Sequence, residues 1–315
     1  SLFNLIEKLG DNNNVNKESS TGKMFSLIKK LKSEGNDILN LAIGEPDWFP
    51  SLEGFEKSVS GYSTSKGEER LVNNILEKIW RNELNKNSIS KDNIMITSGA
   101  KFGLYLVFKH LTNPGSKWIV PKPYWVSYPD MINMLDGDVI FLETDVKNNW
   151  EPNIDSLWKT FKGSYDNHNI NGIILSYPNN PTGLVYSEKI VHELLILAIK
   201  KEIYIIIDEV YLLIYSNLRS IYDIAISKDC SKFVIVVSSF SKFHAIPGWR
   251  VGYIIADSNI ISDLCKIQST ISGCACKASQ EIASNLLENN FNPNLDNLIT
   301  NKRIIENKFL DIGWQ

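Results

Sequence analysis

Ser239-Phe240-Ser241-Lys242-Phe243-His244-Ala245-Ile246-Pro247-Gly248-Trp249-Arg250-Val251-Gly252-Tyr253 follows the strongly apolar run Phe233-Val234-Ile235-Val236-Val237. A buried strand therefore delivers an ammonium, two hydroxyls and a guanidinium to one set of glycine-permitted turns. Lys242 is an amine able to condense with an aldehyde, and Arg250 offers a rigid fork of donors that matches a phosphate dianion. Ser239 and Ser241 complete an oxygen-binding shell. The combination suits an aldehyde cofactor that carries a phosphate. A lone Ser-x-x-Lys is more often a surface lysine, so the weight rests on what surrounds it. His244, two residues from Lys242, is left out of the site.

Outward from this stretch, short β-branched runs alternate with amphipathic ones. Strands are expected at Ile94–Thr97, Trp118–Val120, Val139–Leu142, Gly172–Leu175, Tyr204–Ile207 and Phe233–Val237. Helices are expected over Glu69 to Glu83, Gly103 to Leu111 and Glu188 to Lys200. Continuous apolar strands imply burial on both faces, and the alternation argues an α/β fold with a mostly parallel sheet covered on both sides. The chemical residues fall at or just beyond the carboxyl ends of strands, where such sheets hold ligands. Thr97-Ser98-Gly99-Ala100 follows one strand and opens a helix, leaving backbone N–H groups and the positive helix end for a phosphate. The same residues would also serve as a plain strand-to-helix turn. Asp208 follows Ile205-Ile206-Ile207, where an unpaired carboxylate is costly and needs a cationic partner. Capping of the next helix is the alternative.

The 315 residues predict roughly two domains and a large core. Thirty-three basic and 36 acidic residues leave a net charge of -3, with no block of lysine or arginine. That balance argues against nucleic acid or an anionic membrane and favours small-molecule partners. Cys230, Cys265, Cys274 and Cys276 lack paired zinc-ligand spacing and are too few for a disulfide framework, so reduced thiols and no metal are expected. The most apolar region, Leu194 to Ile214, is broken by Lys200-Lys201-Glu202 and by Asp208-Glu209, too soon for a run of about 20 apolar residues. No membrane span is expected, no secretory signal opens the chain, and the expected location is cytoplasmic. The polar stretch from Asp11 to Ser20 predicts an exposed arm.

Six further segments accompany the opening stretch in a fixed order. They are Asn40-Leu41-Ala42-Ile43-Gly44-Glu45-Pro46-Asp47, Tyr62-Ser63-Thr64-Ser65-Lys66-Gly67, Thr97-Ser98-Gly99-Ala100-Lys101, Pro123-Tyr124-Trp125-Val126-Ser127-Tyr128-Pro129, Ser176-Tyr177-Pro178-Asn179-Asn180-Pro181-Thr182-Gly183 and Asp208-Glu209-Val210-Tyr211. The ordered set resembles the class I/II aminotransferases among the fold-type I pyridoxal-phosphate enzymes, over most of the chain. The resemblance implies a three-layer α/β/α sandwich with a mostly parallel central sheet and an incomplete small domain. It implies an N-terminal arm and small-domain segment over 1–40, a large cofactor-binding domain over 41–290, and the start of a truncated C-terminal small domain over 291–315. It further implies an enzyme that moves the amino group of an amino acid to a 2-oxo acid through a Lys242 Schiff base with pyridoxal 5'-phosphate. Lys242 would also shuttle the α-proton, because a lysine desolvated beside other cations becomes an amine base.

The resemblance assigns the cofactor phosphate to Gly99, Ala100, Lys101, Ser239, Ser241 and Arg250. Tyr62 would reach it across a subunit boundary, which implies a homodimer with shared active sites. Asp208 would keep the pyridine nitrogen protonated, Asn180 and Tyr211 would hydrogen-bond the phenolic oxygen, and Trp125 would stack on the ring. Gly44, Trp125 and Asn180 would line the substrate side; lacking a Cβ, Gly44 lets its loop approach the carboxylate. Ordinary roles stand beside these: the asparagines also suit a turn, Tyr211 and Trp125 also suit packing, and Gly44 also suits a turn. The resemblance fades near Phe309-Leu310-Asp311-Ile312-Gly313-Trp314-Gln315, where relatives usually continue into a domain bearing an arginine for the substrate carboxylate. The expectation is a fragment or a shortened relative with its clamp elsewhere; Lys101 and Arg219 are conceivable substitutes that no motif supports. Elimination, cyclisation or oxidation at the α-carbon, and a non-catalytic cofactor-binding module, are the competing functions. The substrate side chain is not legible.

Overall fold

The computed structural model describes residues 27, 28, 30–32, 34–39, 61–80, 88–161, 169–215 and 217–311. Gly44 and its segment, the expected arm at 11–20 and residues 312–315 lie outside the described residues. The strands are β1 (Ile94–Thr97), β2 (Lys117–Pro121), β3 (Asp138–Leu142), β4 (Ile170–Ser176), β5 (Tyr204–Asp208), β6 (Val234–Ser239) and β7 (Gly252–Ile255). They form a sheet in the order β1-β7-β6-β5-β4-β2-β3. Cα packing divides the chain into one unit of residues 1–45 and 111–205 and another of residues 46–110 and 206–315.

In the first unit β2 lies between β3 and β4 and runs parallel to both. Helix α3 (Ser127–Asn133) packs on β2 and β3, and α4 (Ile154–Thr160) packs on α5 (Glu188–Lys201). Trp118, Ile119, Val120, Ile173 and Ile174 are buried, as apolar runs inside a covered parallel sheet require. Strand β3 departs from the expectation of burial on both faces. It is an edge strand, Asp138 and Phe141 are exposed, and only Leu142 is buried.

In the second unit β7 runs antiparallel to both β1 and β6, and no strand was expected there. Four residues opening with a glycine are too few to establish a period. Helix α1 (Glu69–Ile75) continues as a π-helical turn over Leu76–Trp80, while residues 81–83 of the expected helix lie outside the described residues. The helices α2 (Ala100–Leu111), α6 (Ile221–Ile226), α7 (Ser258–Ile271), α8 (Lys277–Glu288) and α9 (Asp296–Asp311) complete it. Contacts join α1 to β1 and α8, α6 to β6, and α7 to β1. A surface latch fastens α1 to α8: Arg70 donates to Glu281, Asn285 and both oxygens of Glu288, and Asn74 donates to Glu288. Among the described residues, no helix is long and apolar enough to cross a membrane.

Candidate active site

β1 ends at Thr97 and α2 begins at Ala100, so the chain changes element within two residues. The turn closes on itself: Gly99 N donates to Thr97 O at 2.8 Å, and Thr97 Oγ1 donates to Gly99 O at 3.0 Å. Gly99 has φ +81°, and a Cβ there would lie 2.4 Å from Arg250 Nη2 and 2.9 Å from its Cζ. The guanidinium thus occupies the space a side chain would fill, beside the first turn of α2. Arg250 follows the short helical turn Pro247–Trp249 with φ +50°, and its Nη1 donates to Pro247 O at 2.8 Å.

Gly252 brings these pieces together. It pairs with Thr97 on one side and Ser239 on the other, so the ends of β1 and β6 and the start of β7 share one row. A Cβ on Gly252 would lie 2.7 Å from Ser238 O, 2.8 Å from Ala100 N and 2.8 Å from Gly99 C. Sequence reasoning gave this residue no role. The available signal was a glycine opening a strand, which often marks close backbone approach.

Asp208, the last residue of β5, is buried, and its Oδ1 accepts from Val210 N at 3.3 Å. The next helical turn, Leu212–Ile214, has Tyr211 at its cap and no side-chain capping bond, so Asp208 does not cap it. Ser239 is buried at the end of β6, and its Oγ accepts from Ser241 N at 3.2 Å. Lys242 is half-buried with Nζ 5.6 Å from the centre of the Tyr211 ring. Burial raises the Tyr211 hydroxyl's pKa, and the negative charge of Asp208 adds to the effect.

Glu209 was read in the sequence as a break in an apolar region and as part of the Asp208–Tyr211 segment, with no role of its own. It is fully buried; Oε1 accepts from Ser220 Oγ and Ile221 N, each at 2.9 Å, and Oε2 has no partner among the described residues. Burial pushes its carboxyl up to about 8 against the opposing bonds from Ile221 and Ser220. His244 is buried with Nδ1 unpartnered among the described residues, and its ring centre lies 4.6 Å from that of Phe240 and 6.2 Å from that of Phe291. Burial drops its pKa to about 3, so it packs as a neutral ring.

Lys101 is exposed on the first turn of α2, Arg219 is exposed, and Tyr62 is 98% exposed. The turn after Tyr62 is pinned to the fold. Ile96 N donates to Lys66 O, Gln268 Nε2 donates to both Ser65 O and Ile96 O, and Glu68 N donates to Gln280 Oε1. In the other unit, Trp125 is half-buried with its ring edge-on to Tyr128 at 5.4 Å. Asn180 N donates to Ser176 Oγ at 3.1 Å within a turn where Thr182 donates twice to Asn179 Oδ1.

The donor set of the second unit fits a phosphorylated aldehyde. The helix start and the Arg250 fork suit a phosphate dianion, Lys242 supplies an amine, and Asp208 supplies a buried carboxyl for a cation. Among the described residues, no group of three or more His, Cys, Asp or Glu could hold a metal ion.

A family model described as aminotransferase class I and II matches residues 36–315. The chain is 34% identical over 280 residues to an aspartate aminotransferase of Thermotoga maritima, covering 86% of this chain and 71% of that protein. It is 32% identical over 285 residues to an asparagine–oxo-acid transaminase of Streptococcus mutans, covering 87% and 70%. A crystal structure of aspartate aminotransferase from Thermotoga maritima matches with a TM-score of 0.78 at 29% identity, covering 94% of this chain and 79% of that one. The Thermus thermophilus aspartate aminotransferase with maleate matches with a TM-score of 0.75 at 25% identity, covering 87% and 71%.

Proposed function

The chain belongs to the class I and II aminotransferases, and on that premise we propose that Lys242, Asp208 and Arg250 hold pyridoxal 5'-phosphate for amino-group transfer from an amino acid to a 2-oxo acid. The observation that carries this reading is the guanidinium of Arg250 seated against Gly99 at the start of α2. When bound, pyridoxal phosphate supplies an aldehyde that takes up amines and a ring that draws electrons from the substrate's α-carbon.

Arg250, the first turn of α2, Ser239 and Ser241 bind the phosphate. Asp208 stabilises a positive charge on the ring nitrogen, since a buried carboxylate favours a cation beside it. The Tyr211 hydroxyl keeps its proton at neutral pH, its pKa being raised, and would donate a hydrogen bond to the phenolic oxygen. Lys242 would hold the aldehyde through its amine and, once released, would move the proton at the substrate's α-carbon. Gly44, Lys101, Trp125 and Asn180 keep, within this proposal, the roles the resemblance assigns them.

Tyr62, almost wholly in solvent, suits a side chain that completes a partner's site, so a homodimer belongs to the proposal. So do cytoplasmic residence and the division into 1–40, 41–290 and 291–315. Because similar proteins are named for aspartate and asparagine, aspartate is the donor to test first. Borohydride reduction of the cofactor-loaded chain, followed by peptide mass analysis, is expected to leave a pyridoxyl group on Lys242. Lys242→Ala is expected to lower kcat roughly 10³-fold or more. An unmodified Lys242, or ammonia release without a 2-oxo acid acceptor, overturns the reading.

A further inference from the structure

Behind these residues lies a buried carboxyl to which none of the roles above is given. Glu209 directly follows Asp208 and is 1% exposed. Its backbone N donates to Val237 O at 2.9 Å and its carbonyl accepts from Ser238 Oγ at 3.2 Å, both on β6. Its Oε1 accepts from Ser220 Oγ and Ile221 N, the N-cap and first residue of α6. The neighbour of Asp208 is therefore bonded to the strand that delivers Ser239, Ser241 and Lys242, and to a helix that packs on that strand. Shifting the end of β5 against β6 breaks one or more of these bonds.

Resting on the function proposed above, we propose that Glu209 is a positioning residue, fixing Asp208 against the Lys242-bearing end of β6 and the start of α6 as a hydrogen-bonding group rather than as a charge. Oε2 is buried without a partner among the described residues, and an anionic oxygen stranded there is costly, whereas a protonated one carries no formal charge. The titratable groups facing it are Asp208, Asp223 and Tyr253; the two carboxylates add to burial in favouring the proton. A neutral Glu209 leaves Asp208 to answer the ring cation.

The test compares Glu209→Leu and Glu209→Gln in the full chain. Glu209→Leu removes the acceptor, and is expected to weaken cofactor binding and lower kcat, each by about 10-fold, while KM for the amino donor stays within about 2-fold. The pH midpoint of the bound cofactor's absorbance is expected to shift as well. Glu209→Gln keeps an acceptor without a titrating proton, and is expected to restore binding, kcat and midpoint to within about 3-fold of wild type. A Glu209→Leu chain that matches wild type overturns the positioning role. A folded Glu209→Gln chain as impaired as Glu209→Leu overturns the uncharged bond. Should Glu209→Leu fail to fold, Ser220→Ala takes its place with an expected loss of about 3-fold in cofactor binding, and no loss there overturns the role. Infrared spectra of the cofactor-free chain are expected to contain a protonated-carboxyl band at neutral pH that Glu209→Gln lacks; its absence overturns the neutral form. The infrared reading stands apart from the adduct on Lys242, whose absence would defeat the proposed function and the positioning role built on it while leaving the neutral Glu209 in place.

Discussion

Glu209 and Glu288 lie in the same unit and are held in opposite ways. Glu288 closes α8 with both oxygens on the Arg70 fork and a further bond from Asn74, and its side chain is 41% exposed. Bonds from Arg70 and then Asn74 hold its carboxyl down at about 2. Glu209 is sealed behind the ends of β5 and β6, and burial pushes its carboxyl up to about 8. The surface keeps its charges and spends many bonds on them in water, where an ion pair contributes about 0–1 kcal/mol. The interior suppresses charge and uses fewer bonds, but each ties elements that carry the proposed chemistry. Counting hydrogen bonds would rank the two regions the wrong way round.

The largest expected effect comes from disturbing the buried side. Gly252→Ala places a methyl under 3 Å from three backbone atoms that cannot swing away. Overpacking of this kind costs about 1–3 kcal/mol, and cofactor binding is expected to weaken by about 10-fold or more as the turn before α2 moves. Gly248→Ala, with nothing among the described residues within 4 Å of the added carbon, is the matched control. Urea unfolding and cofactor titration of both variants check the pair; equal losses would erase the distinction.

The pH dependence of stability sharpens the contrast next. Between its ordinary value of 4.5 and about 8, folded Glu209 holds a proton that the unfolded chain releases. Its contribution to stability is therefore full below 4.5 and is lost as pH rises to about 8, at up to about 1.4 kcal/mol per pH unit. Glu288 behaves with the opposite sign: its contribution is present above 4.5 and is lost as pH falls through about 2. Urea midpoints of wild type and Glu209→Gln across pH 5 to about 8 are expected to diverge, the variant lacking this slope. Parallel curves would show that burial leaves Glu209 charged. The smallest effect belongs to the latch: Arg70→Ala is expected to lose under about 1 kcal/mol, and less at high salt. Unfolding at two ionic strengths reads it.

Much of the fold was legible because six strands are continuous apolar runs, which only a covered sheet accommodates. β7 was not, since its four residues are too short for a period and its antiparallel direction depends on partners distant in the chain. The exposure of β3 was also hidden, because sequence does not say which strand ends at the edge. In the proposed site, Lys242, Arg250, Asp208 and the Gly99 turn announced themselves through residue types that few structural roles need together. Glu209 looked like a simple interruption, and Gln268 and Gln280 drew no reading at all. Their importance lies in buried partners far along the chain, for which no local pattern exists.

The pinned turn beyond Tyr62 has a consequence for assembly. Bonds from Ile96, Gln268 and Glu68 fix the backbone over residues 65–68, while the phenol ring just before it stands almost entirely in water. Backbone freedom over residues 65–68 is already surrendered during folding, so a second protein meeting the nearby ring would have less of that segment to freeze. In the proposed dimer the ring would act as a prebuilt peg whose occupancy depends on the socket it finds.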